Sequence, residues 1–242
     1  MTELPPLVAW PLFYDAWRWA QGEHLTIIGP TGTGKSTLMR AVLQKRYAAG
    51  GAVAVLGTKT EDDTLERWQR EDGLTRVGEW PPKWPGRWWE RPRGDEWARR
   101  LMVWPKITSP EDVKNLGPMF DHVLSDLFVQ RRWCVAVDEL WYLAAEMGLG
   151  HTLKSWWSQG RSSGLTLVGA TQRPVDIPLL AYNSATHLFL FADPDETNLA
   201  RISGLGGLPP ARIREIVRSL PFHDVLYVNT RLRVVLRTRV PV

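Results

Sequence analysis

The stretch Leu25–Thr37, Leu-Thr-Ile-Ile-Gly-Pro-Thr-Gly-Thr-Gly-Lys-Ser-Thr, decides the fold class of this chain. Its first four residues are apolar or β-branched, which is typical of a buried strand, and a glycine-rich turn follows them. Gly29, Gly34, Lys35 and Ser36 match the P-loop pattern Gly-x-x-x-x-Gly-Lys-Ser/Thr. The stretch therefore predicts a strand, a phosphate-binding loop and a helix, and with them a site for a nucleoside triphosphate.

Each residue type in this loop has a physical reason. Glycines allow the backbone to wrap closely around phosphate, and successive N–H groups at the helix N-terminus present partial positive charge to its oxygens. We expect Lys35 to reach the β- and γ-phosphates of ATP and Ser36 to ligate Mg²⁺. The predicted nucleotide-binding residues are Gly29, Pro30, Thr31, Gly32, Thr33, Gly34, Lys35, Ser36 and Thr37.

A second signature lies about a hundred residues further on. The apolar run Trp133–Val137 predicts a buried parallel strand, and Asp138 and Glu139 follow it directly. We expect Asp138 to support Mg²⁺ and Glu139 to polarise the attacking water as general base. The pair predicts ATP hydrolysis; phosphoryl transfer to a small acceptor would call for a substrate-binding lid, and none is evident in the sequence.

Length and composition favour one large α/β domain over residues 1–242, because 44% of the 242 residues are apolar. The single cysteine, Cys134, excludes a disulfide framework and a cysteine-based zinc site. No apolar run approaches 18 residues, and the first ten residues do not resemble a signal peptide. We therefore expect a cytoplasmic protein that does not span a membrane.

The remaining pattern alternates strands with helices, which predicts a three-layer α/β fold around a mainly parallel sheet with a C-terminal β-hairpin. The predicted strands are Ala52–Leu56, Leu101–Trp104, Trp133–Val137, Leu165–Ala170 and Ala185–Ala192, with a hairpin of Phe222–Val228 and Leu232–Thr238. The predicted helices are a short one within Leu4–Ala20, the P-loop helix, Pro110–Gln130, Gly150–Gly164, Pro194–Ser203 capped by Asp193, and Pro210–Leu220.

Residues 61–100 are predicted to be an irregular insertion. Its centre, 80–94, interleaves tryptophan and arginine with proline and glycine, a composition that can stack on and neutralise single-stranded nucleic acid. Residues 61–105 nevertheless hold nine basic and ten acidic residues, so the segment is not a positive platform. A packed flap or a subunit contact remains the alternative.

The charge of the chain is unevenly distributed. Its net charge is +4, yet residues 201–242 carry eight arginines against Glu215 and Asp224, so the other 200 residues sum to −2. A basic C-terminal segment suits a polyanionic partner. A solvated surface strand is the alternative interpretation.

Two further motifs surround the predicted strand Leu165–Ala170. The strand is followed by Thr171-Gln172-Arg173-Pro174, where the Gln172 amide can hydrogen-bond the γ-phosphate or the attacking water. It is preceded by Gln159-Gly-Arg161-Ser-Ser-Gly164. In isolation Arg161 is an ordinary arginine at a helix end.

Together, Gly29–Ser36, Asp138-Glu139, Arg161 and Thr171–Pro174 resemble the FtsK–HerA superfamily of DNA-pumping P-loop ATPases. The likeness extends from Leu25 to Thr238, without residues 61–100. It implies a RecA-like core, a hexameric ring of identical chains and double-stranded DNA threaded through the pore. It also implies catalytic roles for Lys35, Glu139, Gln172 and Arg161, the last completing a neighbouring subunit's site.

Arg173 and Arg201 are second choices for that trans arginine. The sequence lacks the membrane and linker region and the winged-helix domain of the cell-division translocases, and the N-terminal barrel of the HerA branch. We therefore expect a compact motor like the genome-packaging ATPases of certain viruses, working in the host cytoplasm or in the virion with a capsid, portal or membrane protein. The alternatives are an assembly or secretion ATPase acting on protein, similar to filamentous-phage morphogenesis ATPases, and a nucleotide-gated binding module with little turnover.

Overall fold

The computed structural model describes residues 4–82, 99–204 and 208–241. In these residues a ten-stranded sheet runs through the molecule in the order β1-β10-β9-β8-β2-β7-β6-β3-β5-β4. The strands are β1 (Leu7–Val8), β2 (His24–Ile28), β3 (Ala52–Leu56), β4 (Thr75–Val77), β5 (Arg100–Val103), β6 (Trp133–Val137), β7 (Thr166–Thr171), β8 (Ala185–Phe191), β9 (Asp224–Asn229) and β10 (Val234–Arg239).

The seven strands from β8 to β4 are all parallel, and the C-terminal hairpin pairs antiparallel with them through β9. β7 lies between β2 and β6, so the strand before Gln172 separates the P-loop strand from the strand before Asp138. The carboxyl ends of these parallel strands share one edge of the sheet, where open α/β sheets place their ligands. β9, which runs the other way, begins at that same edge, since Val225 pairs with Phe191.

Helices cover both faces of the sheet, which gives three layers. They are α1 (Trp10–Ala16), α2 (Lys35–Ala48), α3 (Asp63–Asp72), α4 (Pro110–Gln130), α5 (Gly150–Gln159), α6 (Leu180–Asn183), α7 (Glu196–Ile202) and α8 (Pro210–Ser219). Buried side chains of α1, α2 and α3 form one core with one face of the sheet, and those of α4 to α8 form the other core. The predicted three-layer α/β fold with a mainly parallel sheet is confirmed.

Local signals explain the ends of several helices. The hydroxyl of Ser109 accepts the Asp112 N–H while the Asp112 carboxylate accepts the Ser109 N–H, a capping box that starts α4 where the sequence predicts it. Pro11 and Pro110 occupy the first turns of α1 and α4, where a missing N–H costs nothing.

Two predictions need correction. The stretch after residue 61 is regular: Asp62 caps α3 through the N–H groups of Thr64 and Leu65, and β4 extends the sheet edge. Residues 83–98, which include most of the Trp- and Pro-rich centre 80–94 of the predicted insertion, lie outside the described residues. The cap of α7 is Asp195 and not Asp193, because Asp195 accepts the Thr197 and Asn198 N–H groups.

Cys134 is fully buried in β6, as a small hydrophobic residue would be. Among the helices of the described ranges, none combines the length and the apolar character needed to cross a membrane.

Candidate nucleotide site

Four loops meet at the carboxyl edge of the parallel sheet. The P-loop follows β2, Gln172 follows β7, Asp138 and Glu139 follow β6, and Lys59 lies in the loop after β3. The order of these strands places the loops side by side. The sheet topology thus brings together residues that are up to 141 positions apart in sequence.

The P-loop is held open by its own backbone and side chains. Gly32 and Gly34 have φ angles of 81° and 106°, values that favour glycine. The Thr33 hydroxyl donates to the Pro30 carbonyl at 2.9 Å across the turn. Gly29 has a different constraint, since a Cβ at this position would lie 2.6 Å from the Cβ of Phe191. The loop therefore depends on glycine both for conformation and for packing against β8.

Lys35 is buried within this loop. Its side chain donates from Nζ to the Pro30 carbonyl at 2.8 Å, and the residue is 8% exposed. Burial lowers the pKa of Lys35, and the negative charges of Asp138 and Glu139 oppose that shift. A buried ammonium in a loop of N–H donors is suited to binding a polyanion such as a triphosphate.

Ser36 and Asp138 are in direct contact across the site. Ser36 Oγ lies 3.1 Å from Asp138 Oδ2 and 3.2 Å from Oδ1. Burial raises the pKa of Asp138, which indicates a carboxylate short of stabilising solvent. A hydroxyl and a partly desolvated carboxylate fit Mg²⁺, which takes few protein ligands and completes its shell with water and phosphate. Among the described residues, no group of three or more His, Cys, Asp or Glu side chains is arranged to hold a metal ion by itself.

Glu139 is held by an unexpected partner. The indole N–H of Trp141 donates to Glu139 Oε2 at 2.8 Å, and the Arg173 guanidinium lies over the Trp141 ring, 4.6 Å from its centroid. Burial first, and then the charge of Asp138, raise the pKa of Glu139. A π-helical turn, Tyr142–Glu146, follows Trp141, and such turns are frequent at functional sites.

Gln172 contacts the P-loop directly. The Thr31 hydroxyl donates to Gln172 Oε1 at 2.6 Å, so the end of β7 is joined to the loop after β2. Beside this contact lies a cavity of about 610 Å³. Its walls are formed by the P-loop, the end of β7 and the start of α7: Pro30, Thr31, Gln172, Arg173, Val175, Asp176, Asp193, Pro194, Asp195, Thr197 and Asn198.

Three residues at the site were not predicted to belong there. Trp141 is one. Asp193, 2% exposed at the end of β8, has a pKa raised by burial, and its carboxylate accepts the Asp195 N–H and the Asn198 amide. His223 places Nδ1 3.2 Å from the Thr33 carbonyl. The sequence carries a signal for Asp193, an acid after a buried strand, but the neighbouring Pro194 favours the interpretation of Asp193 as a helix cap. The positions of Trp141 and His223 at the site depend on tertiary contacts.

Arg161 is far from the site of its own chain. It lies in the 3₁₀ turn Gly160–Ser163 just before β7, with its carbonyl against Gly22, so it belongs to the amino edge of the sheet. The side chain is exposed there. Arg201 is anchored within its own chain, because its guanidinium donates to the Ile177 carbonyl at 2.8 Å.

The basic C-terminal segment is largely neutralised by carboxylates. Arg237 and Arg239 both pair with Asp224, and Arg231 pairs with Glu23 at 3.2 Å. Arg218 also forms an ion pair, with Glu196. These pairs weaken the interpretation of this segment as a surface for a polyanion.

Comparison with known proteins supports the fold and the P-loop. A family model described as "ABC transporter" matches residues 16–102, which include the P-loop and stop before Asp138. No curated protein sequence matches the chain.

The solved structures give the more extensive likeness. The genome packaging NTPase B204 from Sulfolobus turreted icosahedral virus 2, in complex with sulfate, is 13% identical with a TM-score of 0.66, covering 93% of this chain and 99% of that one. The same NTPase in complex with AMPPCP gives a TM-score of 0.60 at 14% identity, covering 91% and 98%. VirB4 of Thermoanaerobacter pseudethanolicus gives 0.66 at 13% identity, covering 90% and 89%. The resemblance to FtsK–HerA-type ATPases thus holds at the level of the fold, and the chain has the RecA-like architecture and the site of a P-loop ATPase.

Proposed function

We propose that this chain is an ATP-hydrolysing motor that moves double-stranded DNA, and that its biological task is to package a viral genome. The observation that carries the proposal is a set of two side-chain contacts, one between Thr31 and Gln172 and the other between Ser36 and Asp138. It connects the phosphate loop to two neighbouring strand ends, so that the presence or loss of a γ-phosphate can alter both.

Each site residue then has a defined role in hydrolysis. The P-loop N–H groups and Lys35 would bind the phosphates of ATP. Ser36 and Asp138 would hold Mg²⁺, which neutralises charge developing on the β- and γ-phosphates. Glu139, whose raised pKa favours proton acceptance, would take the proton of the attacking water. Gln172 would hydrogen-bond the γ-phosphate or that water.

Arg161 supports a ring rather than a lone subunit. The six residues of β7 separate it from Gln172, a distance of about 20 Å at the rise of an extended strand. In a ring, an exposed arginine at one edge of a subunit can reach the open carboxyl edge of the next. An arginine supplied in this way is worth ~10³–10⁵ in rate, so assembly would control hydrolysis.

The DNA substrate is proposed from the fold. The likeness to a genome packaging NTPase extends over nearly the whole of both chains, so the two share their main architecture. The sequence of residues 83–98, with its tryptophans and arginines, is of a kind that can stack on and neutralise nucleic acid. A capsid or portal protein would be the partner that holds the ring in place.

The decisive experiment measures ATP hydrolysis with and without duplex DNA at several protein concentrations. We expect little hydrolysis at low concentration, a rise as rings form, and a further rise with duplex DNA that is insensitive to sequence and falls steeply with salt. Glu139→Gln serves as the control that binds ATP without hydrolysing it.

Three outcomes would contradict the proposal. If no nucleic acid stimulates hydrolysis, the proposal of a DNA motor is wrong. If only a capsid or membrane protein stimulates hydrolysis, the assembly or secretion ATPase is favoured instead. An unchanged turnover in the Glu139→Gln variant would contradict the assignment of Glu139 as the general base.

A further inference from the structure

Trp141 is placed where it can control the direction of the Glu139 carboxylate. Its indole N–H occupies Oε2 at 2.8 Å, and the Tyr142 N–H donates to the Glu139 carbonyl at 3.0 Å, so side chain and backbone of Glu139 are both held by the turn that follows β6. With Oε2 engaged, a water bound by Glu139 would meet Oε1.

Trp141 is in turn contacted by a residue in the loop that follows β7. The Arg173 guanidinium lies 4.6 Å from the centroid of the indole ring, a cation–π contact. Arg173 directly follows Gln172, and its own N–H donates to the Thr171 hydroxyl at 3.0 Å, which pins the backbone at this strand end. The side chain of Arg173 is exposed and lines the cavity beside Thr31.

These contacts form one path across the site, from Thr31 through Gln172 and Arg173 to Trp141 and Glu139. We propose that Trp141 is a positioning residue for Glu139, and that Arg173 fixes the indole ring, so that the orientation of the base depends on the strand end that senses the γ-phosphate. The inference rests on the proposed function, because it takes Glu139 to be the base.

The test uses steady-state ATP hydrolysis without DNA, under conditions in which the ring is assembled. Trp141→Phe keeps an aromatic ring beneath Arg173 and removes only the N–H donor. We expect kcat to fall about tenfold, because a misdirected base loses part of its contribution. KM for ATP should stay within about twofold, because none of the phosphate-binding residues changes.

Arg173→Gln provides the second variant. Its side chain is exposed, so the substitution leaves the core intact, and we expect a smaller fall in kcat, about threefold, again with KM unchanged. Because both residues are proposed to act through one contact, the double variant should lose no more than Trp141→Phe alone, a non-additivity that independent sites do not show.

The chain contains a matched control at the other edge of the sheet. Trp19 donates from its indole N–H to the Glu23 carbonyl at 2.8 Å, and the Arg46 guanidinium lies over its ring at 4.1 Å. Trp19→Phe removes an indole N–H donor from the same kind of stack, here one bonded to a backbone carbonyl and away from the nucleotide loops of its own chain. We expect it to leave both kcat and KM unchanged.

Three results would overturn the inference: an unchanged kcat in Trp141→Phe, a fall in kcat matched by a rise in KM, or effects of Trp141→Phe and Arg173→Gln that multiply in the double variant. If Trp141→Phe does not fold, an unchanged kcat in Arg173→Gln decides against it. All of these measurements omit DNA, so they are independent of the DNA-stimulation experiment. If DNA fails to stimulate hydrolysis, the proposal of a DNA motor is wrong, but the test of Trp141 is unaffected.

Discussion

Ser36 Oγ lies 3.1 Å from Asp138 Oδ2, although the two residues are 102 positions apart in sequence. The contact joins the first turn of α2 to the end of β6. It also brings two hard oxygen ligands to one point, where a nucleotide-bound Mg²⁺ can replace the hydroxyl proton as the partner of the carboxylate.

Asp138→Asn should uncouple nucleotide binding from magnesium. In the wild type, we expect ATP affinity to rise when Mg²⁺ is added, because the carboxylate offsets the charge of the ion. In the variant this rise should largely disappear, and kcat should fall by ~10²-fold. Calorimetric titration of ATP with Mg²⁺ and with a chelator measures the first effect; an equal Mg²⁺ dependence in both proteins would exclude Asp138 as a ligand.

Mixing two inactive variants should restore activity if Arg161 acts in trans. Arg161→Ala subunits retain Glu139, and Glu139→Gln subunits retain Arg161, so a mixed ring contains interfaces with both groups intact. We expect hydrolysis in the mixture to exceed that of either variant alone at equal total protein. Arg132→Ala, which changes an exposed arginine beside Gly164, is the control and should hydrolyse ATP as the wild type does. A mixture as inactive as its components would place the role elsewhere, with Arg173 the next candidate.

Gly29→Ala should disturb the P-loop through packing. The new Cβ would lie 2.6 Å from Phe191 Cβ, an atom close to the β8 backbone that cannot rotate away. We expect the free energy of unfolding to fall by about 1–3 kcal/mol and ATP binding to weaken, as for overpacked sites. Gly78→Ala is the matched control, because a Cβ at Gly78 would meet no atom within 4 Å beyond its immediate chain neighbours. Urea unfolding of both variants compares them, and equal stabilities would contradict the packing argument.

His24 should make the protein less stable in mild acid. Burial first, and then the charge of Arg161, lower the pKa of His24 to about 4, while its Nδ1 accepts the Leu167 N–H at 3.0 Å. Between the unfolded pKa of about 6.5 and this value, the unfolded chain binds a proton that the folded chain does not. The free energy of unfolding therefore falls as pH drops from 6.5 towards 4, by about 3 kcal/mol in all.

Urea unfolding at pH 7, 6 and 5 measures this effect. Because carboxylates titrate in the same range, the informative quantity is the difference in slope between the wild type and His24→Gln, which should depend less on pH. His151→Gln, which changes an exposed histidine, serves as the comparison substitution. A His24→Gln slope equal to that of the wild type would show that His24 is not the responsible group.

The sequence was sufficient for elements whose determinants are local. β3, α4 and β6 have the predicted bounds, because apolar runs and a capping box specify them within a few residues. Helix α3 was missed although Asp62, Leu65, Trp68 and Gly73 carry its cap, its apolar face and its end. Its composition resembles that of the Trp- and Pro-rich stretch that follows, so composition alone does not separate the helix from that stretch.

The sequence does not predict features that depend on contacts between residues far apart in the chain. β1 is only two residues long and exists because it pairs with β10, more than 200 residues later. The contact between Trp141 and Glu139 lies directly before a π-helical turn, for which no sequence pattern is available. The pairing of the C-terminal arginines with Glu23 and Asp224 likewise follows from the assembled sheet.

The strand β7 has a consequence for how a ring of these chains would work. Every one of its six residues is buried, and neighbours β2 and β6 hydrogen-bond it on both sides, so it resists bending. In the proposed motor, one end carries Gln172, assigned to the chain's own γ-phosphate, and the other adjoins Arg161, assigned to the site of the next subunit. A displacement of Gln172 would therefore be transmitted along β7 to Arg161, and it would be transmitted in the same direction in every subunit of the ring. The subunits would then hydrolyse ATP in a fixed order around the ring, and the direction of β7 would determine that order.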